Sequence, residues 1–261
     1  MTETLRIDTD QRGVATLTLT RGEKHNAMSA VMMTELTEAA NALGADPAVR
    51  VVVIAAEGKS FSAGADLNWM RAQIAADRAG RIVEATRLAH MLRVLNELPK
   101  PVIAKVQGNA FGGGLGIISV CDVAIGVDTA KFGFTETRLG IIPGTISPYV
   151  LARMGEGKAR RVFMSSRLFS AHEAVELDLL SRIVEVDALD AAVEREVIPY
   201  LSAAPGAVAK AKQLTRSLGP VIDDNVIEST VERLADTWET DEAKEGLAAF
   251  FDKTTPAWVV Q

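Results

Sequence analysis

The chain has 261 residues, 48% of them apolar and 24% charged, a balance that excludes general disorder and suits one large folded unit. Lys and Arg number 28 against 34 Asp and Glu, and the net charge of -6 argues against general nucleic-acid binding. One Cys and three His exclude an internal disulfide framework and a Cys-rich zinc site. The chemistry is therefore expected to run on carboxylates and backbone groups.

Leu5 to Asp8 and Val14 to Thr20 read as short strands around a turn at Gln11, Arg12 and Gly13. Met28 to Leu43 predicts a helix, with Ser29 as its cap and Gly44 as its stop. Val49 to Ala55 is a Val-rich run typical of a buried strand, and Val102 to Val106 is another. Between them Ile82 to Leu98 reads as a helix ending before Pro99. Beyond residue 187 only helices are expected: Asp187 to Ser202, Gly206 to Leu218, Val221 to Trp238 and Asp241 to Lys253. The fold class is thus α/β. Residues 1–190 form its core, and the helical tail 191–261 is expected to pack on that core or on another subunit.

Residues 1–10 are polar, without the apolar core of a signal peptide. The most apolar stretch, Leu115 to Val127, is interrupted by Asp122 and too short to span a bilayer. A cytoplasmic protein free of membranes is expected, with Cys121 as a reduced core residue.

Two segments echo each other. Val53, Ile54 and Ala55 lead to Phe61, Ser62, Ala63 and Gly64; Val102, Ile103 and Ala104 lead to Phe111, Gly112, Gly113 and Gly114. Each predicts a strand, a tight turn of small residues and a helix N-terminus, where backbone N–H groups have no helical partner. Two such turns side by side would give two donors to one oxygen, the arrangement that stabilises an oxyanion or enolate. Tight packing alone also explains the glycines. Other motifs fail: Val53 stands where a P-loop needs Gly, no dinucleotide fingerprint or nucleophile elbow exists, and His25, His90 and His172 lack ligand spacing. No metal or separate cofactor is expected.

Four ordered stretches, Arg21 to Met28, Phe61 to Leu67, Gly108 to Asp122 and Phe132 to Gly144, with the tail Glu245 to Lys253, resemble the crotonase (enoyl-CoA hydratase/isomerase) superfamily along essentially the whole chain. The resemblance implies a spiral of β-β-α units and a helical C-terminal trimerisation region, giving a trimer or dimer of trimers. It implies an acyl-CoA substrate, with coenzyme A entering as part of that substrate, and oxyanion donors at the backbone N–H of Ala65 and Gly113. It suggests coenzyme A contacts at Lys24, at Ala63, Asp66, Leu67 and Asn68, and at Phe250 and Lys253. Asp66 also suits a helix cap, and Lys24 and Lys253 also read as solvated surface lysines. Trp69, Met70 and Phe111 are candidates for the acyl pocket or for ordinary core packing, and Gly116 is placed with them at the acyl pocket.

Hydratases of this family use two glutamates. Glu136 matches the second; Gly116 stands where the first belongs. Three accounts follow: hydration with Glu136 as acid and base, 3,2-enoyl-CoA isomerisation with Glu136 as the single base, or coenzyme A binding without catalysis. A narrower resemblance, in residues 62–70, 141–150 and 255–258, is to methylglutaconyl-CoA hydratases of bacterial leucine degradation, and it favours hydration of a branched glutaconyl-CoA. Arg138 and Arg71 are both candidates to meet a distal substrate carboxylate.

Overall fold

A computed structural model of the protein describes residues 2–260; residues 1 and 261, the outer ends of the two expected units, lie outside the described residues. The chain opens with an antiparallel hairpin, β1 (Leu5–Thr9) and β2 (Val14–Leu19), in the register Leu5 to Leu19. Helix α1 (Ala30–Ala45) follows, and the Ser29 hydroxyl accepts the N–H of Met32 at 3.3 Å as its cap. Gly44 does not stop this helix. It lies inside it, where a Cβ would come 3.2 Å from Pro99 Cδ, and Asp46 is the C-cap. Gly44 serves close packing rather than termination.

Three β-β-α units come next. The first is β3 (Val51–Ala56), β4 (Ser60–Ser62), α2 (Leu67–Ala75) and α3 (Arg78–Glu97). The second is β5 (Val102–Val106), β6 (Asn109–Phe111) and α4 (Gly113–Val120). The third is β7 (Val123–Val127), β8 (Lys131–Gly133), a 3₁₀ turn at Glu136–Leu139, α5 (Ser147–Met154) and α6 (Glu156–Phe163). Helix α3 begins four residues before its expected start because Asp77 caps it, accepting the N–H of Gly80 at 2.8 Å. Short elements β9 (Phe169–Ser170), α7 (Ala171–Glu176) and β10 (Arg182–Val184) lead into α8 (Leu189–Ser202), α9 (Pro205–Ser217), α10 (Asp224–Trp238) and α11 (Asp241–Asp252).

The first strands of the units form one sheet, ordered β1-β2-β3-β5-β7-β10 and parallel beyond the opening hairpin. The second strands form another, β4-β6-β8-β9, parallel up to β8. Val51 to Ile54 and Val102 to Ala104 are buried throughout, as parallel strands covered on both faces require. Leu189, Ala192, Val193 and Val197 of α8 join this main core, which therefore runs continuously across residue 190. Ile227 and Val231 of α10 pack on Ala85 and Ala89 of α3, and Ala243 and Leu247 of α11 pack with Met70, Ile141 and Trp238. Helices α10 and α11 thus fold back over the core of their own chain. Among the described residues no helix is long and apolar enough to cross a membrane.

Candidate active site

Strands β4 and β6 are parallel neighbours, so the turns that follow them leave the same edge of their sheet. Both turns rest on glycines in the left-handed half of backbone space: Gly64 at φ +87° and Gly112 at φ +49°. A Cβ on either would lie 3.9 Å from the Cα of the other, so the turns abut. Met28 fastens the first: its N–H donates to Gly64 O at 2.7 Å, and its carbonyl accepts the N–H of Asp66 at 3.0 Å. The N–H of Gly112 donates to Gly133 O at 3.1 Å and ties the second turn to β8. The N–H of Ala65, between Gly64 and Asp66, and that of Gly113, first residue of α4, donate to no other group among the described residues. Two free donors therefore stand on two touching turns, at the residues expected.

Glu136 enters from the end of β8, as the first residue of the 3₁₀ turn. Its Oε1 lies 3.0 Å from the position of a Cβ on Gly112, which sets the carboxyl against the second turn. The residue as a whole is half-buried, but Oε2 is closed off from solvent and has no hydrogen-bond partner. Burial pushes the carboxyl up to about 7, against the smaller opposing pull of the N–H groups of Glu136 and Thr135.

These groups open on a cavity of about 790 Å³. Of the residues expected in the site, Lys24, Ala63, Ala65, Asp66, Leu67, Asn68, Trp69, Met70, Phe111, Gly113, Glu136 and Phe250 all line it. Gly116 and Lys253 do not. Gly116 is buried one turn inside α4, and Lys253 is the left-handed C-cap where α11 has already ended. Asp66 is engaged by the fold: Oδ1 accepts the N–H groups of Asn68 at 2.8 Å and Trp69 at 3.2 Å, and Oδ2 accepts the Arg21 guanidinium at 2.9 Å. Burial raises the Asp66 carboxyl, but these donors outweigh it and hold it below the usual carboxylate range. Trp69 lines the cavity while its Nε1–H donates to Glu84 at 3.0 Å.

Arg138 and Arg71 separate clearly. Arg138 lines the cavity and donates to Ser166 O at 3.1 Å, whereas Arg71 is absent from the wall and stacks 4.9 Å from the Phe251 ring centroid. The sequence reading missed His25, the wall at residues 141–146, and Leu234 and Trp238 from α10. His25 had a signal in its neighbour Lys24, and the 141–146 stretch in its place just after Glu136. Leu234 and Trp238 had none, because the return of α10 over the site is a tertiary event.

The family model for enoyl-CoA hydratase/isomerase matches residues 9–261. A probable enoyl-CoA hydratase from Rhizobium meliloti is 36% identical over 259 residues, covering 96% of each chain. A mitochondrial methylglutaconyl-CoA hydratase from Mus musculus is 32% identical over 260 residues, covering 97% of this chain and 81% of its own. A crystal structure of an enoyl-CoA hydratase from Shewanella pealeana superposes with a TM-score of 0.81 at 40% identity, covering 98% of this chain and 96% of that one. The spiral of β-β-α units thus carries two adjoining turns, each with a free backbone N–H. The chain belongs to the enoyl-CoA hydratase/isomerase family.

Proposed function

We propose that the protein hydrates an enoyl-CoA thioester, with methylglutaconyl-CoA or a related branched glutaconyl-CoA as substrate. The carrying observation is a Glu136 carboxyl whose buried Oε2 has no hydrogen-bond partner, set against a pair of touching turns that each offer a free N–H. The thioester carbonyl accepts from Ala65 and Gly113, and these bonds strengthen as the oxygen gains charge. A carboxyl with a pKa of about 7 is near half-ionised at neutral pH, which suits a group that acts first as base and then as acid. Ionised Glu136 takes a proton from water as the water oxygen bonds to the β-carbon. The double-bond pair moves towards the thioester oxygen as an enolate. Glu136 then returns its proton to the α-carbon and is again a carboxylate.

The branched glutaconyl assignment draws on the mouse relative and on Arg138, a cation on the cavity wall for a distal carboxylate. Lys24, exposed at the rim, suits the phosphates of coenzyme A, and residues 63–68 suit its pantetheine arm. The tail 191–261 is read as the assembly region of a trimer or hexamer. In support, α9 buries none of its residues, and Leu214 and Leu218 are 59% and 80% exposed. Light scattering on the eluted protein measures the assembly.

A second reading, 3,2-enoyl-CoA isomerisation, is favoured by the same lone carboxyl, since a 1,3 proton shift needs one base. Turnover in ¹⁸O-water separates the two: hydration carries the label into product and isomerisation does not. A panel of enoyl-CoA thioesters run beside Glu136→Gln tests catalysis itself. Binding without turnover, unchanged in the variant, would leave only a coenzyme A-binding protein.

A further inference from the structure

Gly116 is buried, and the space in front of it is taken. A Cβ on Gly116 would lie 2.7 Å from Ile146 Cγ2, 3.3 Å from Ile146 Cβ and 3.3 Å from Leu92 Cδ1. Carbon atoms settle at about 3.5–4.0 Å, so the first contact is a collision. Ile146, unlike Gly116, does line the cavity, and it is only 2% exposed. Any side chain leaving position 116 for the cavity would have to pass through the place of the Ile146 γ-methyl. Ile146 has little room to yield. It is β-branched and stiff, its carbonyl accepts the N–H of Val150 at 3.0 Å, and Leu92 behind it is fully buried.

Ile146 also belongs to the deep end of the cavity. Thr145 and Ile146 are 4% and 2% exposed, whereas Lys24 and His25 on the same cavity wall are exposed. A phosphate-bearing coenzyme A keeps its charges at the wet end, so the acyl group lies at the deep end. Two carboxylates line the cavity among the described residues, and Asp66 is committed to Arg21 and the start of α2. Glu136 is thus the one carboxylate open to a substrate.

Resting on the acyl-CoA reading above, we infer that Ile146 is the specificity-determining residue of the acyl end. Its side chain fills the slot that a side chain at 116 would need, so this wall meets the substrate as an aliphatic surface. That surface packs on a branch at the β-carbon, and it keeps a second acid away from an acyl group that carries its own carboxylate.

Binding of saturated analogues by calorimetry tests this without turnover. For Ile146→Ala, isovaleryl-CoA and 3-methylglutaryl-CoA should each weaken about tenfold, the effect of losing a methylene-sized contact in a tight pocket, while butyryl-CoA changes little. Ile146→Val should lie between. Equal weakening of branched and straight chains would overturn the assignment. Gly116→Glu alone should lose its folded thermal transition or its acyl-CoA binding, and Gly116→Glu with Ile146→Gly should regain them. The regained site should bind 3-methylglutaryl-CoA at least tenfold more weakly than Gly116→Gln with Ile146→Gly does, with isovaleryl-CoA alike in both. If Gly116→Glu is by itself as stable and as tightly binding as the double variant, Ile146 does not hold that slot and the inference fails. Failure of every enoyl-CoA to turn over would instead remove the hydratase reading and leave these binding ratios standing.

Discussion

The Glu136 carboxyl should make the protein less stable as pH rises, and Glu136→Gln should remove that dependence. Its pKa lies near 4.5 in an ordinary carboxyl environment and near 7 in the folded protein, because burial disfavours the charge. Below the lower value both folded and unfolded chains hold the proton, and the site adds no pH dependence. Between the two values the unfolded chain gives up its proton while the folded chain keeps it, so stability falls as pH rises. Above the higher value both are ionised and the full penalty remains, about 3 kcal/mol at roughly 1.4 kcal/mol per factor of ten. Between pH 5 and pH 8 the loss amounts to about 2.5 kcal/mol. Glutamine carries no charge at either pH. Its unpaired amide has its own cost, but that cost is the same at both and cancels. Urea unfolding of both proteins at pH 5 and pH 8 should therefore show the gap between them move by about 2.5 kcal/mol in favour of Glu136→Gln. A gap that stays within about 0.5 kcal/mol would refute a desolvated carboxyl. The same group predicts that kcat/KM of the wild-type protein rises through a pKa near 7, with the variant lacking that limb.

Three further outcomes follow from the site and its supports. Gly113→Pro deletes one oxyanion donor at the first helical position, where proline is tolerated, and should lower kcat by about 10²–10³. A Cβ there meets Met28 Cε at 2.1 Å, so Gly113→Ala, which adds the same crowding but keeps the N–H, is the control; equal losses in both would remove the donor from the mechanism. Asp66→Ala removes a cap and strands the largely buried Arg21, and should cost about 3–5 kcal/mol in urea unfolding, with Asp66→Asn losing less because it still accepts the two N–H groups. Burial pushes the Cys121 thiol up to about 12, so a disulfide thiol reagent at pH 8 should find no fast-reacting group in the native protein and one thiol after unfolding in urea.

Much of this protein is local enough to read along the chain. The apolar runs at β3 and β5 declare buried parallel strands, because a strand covered on both faces tolerates no polar alternation. Small residues at 63–65 and 112–114 declare turns before helices, and Glu136 is picked out by the family resemblance of the stretch 132–144. Ser29 caps α1 as its residue type predicts, whereas Gly44 misleads because a glycine chosen for close packing looks the same as one that ends a helix. Three decisive facts are not local. The turns at Gly64 and Gly112 touch only because β4 and β6 are parallel neighbours. Glu136 gains its high pKa only once the fold has stripped away its water, since desolvation depends on what surrounds a carboxyl and not on which residues flank it. The slot at Gly116 is closed by Ile146, thirty residues further along, through side-chain packing that no spacing in the sequence records. Residue types and their periods therefore determine the strands and the turns, and a motif resemblance picks out Glu136; only the packing of distant segments decides the environment of that carboxyl and the shape of the cavity wall beside it.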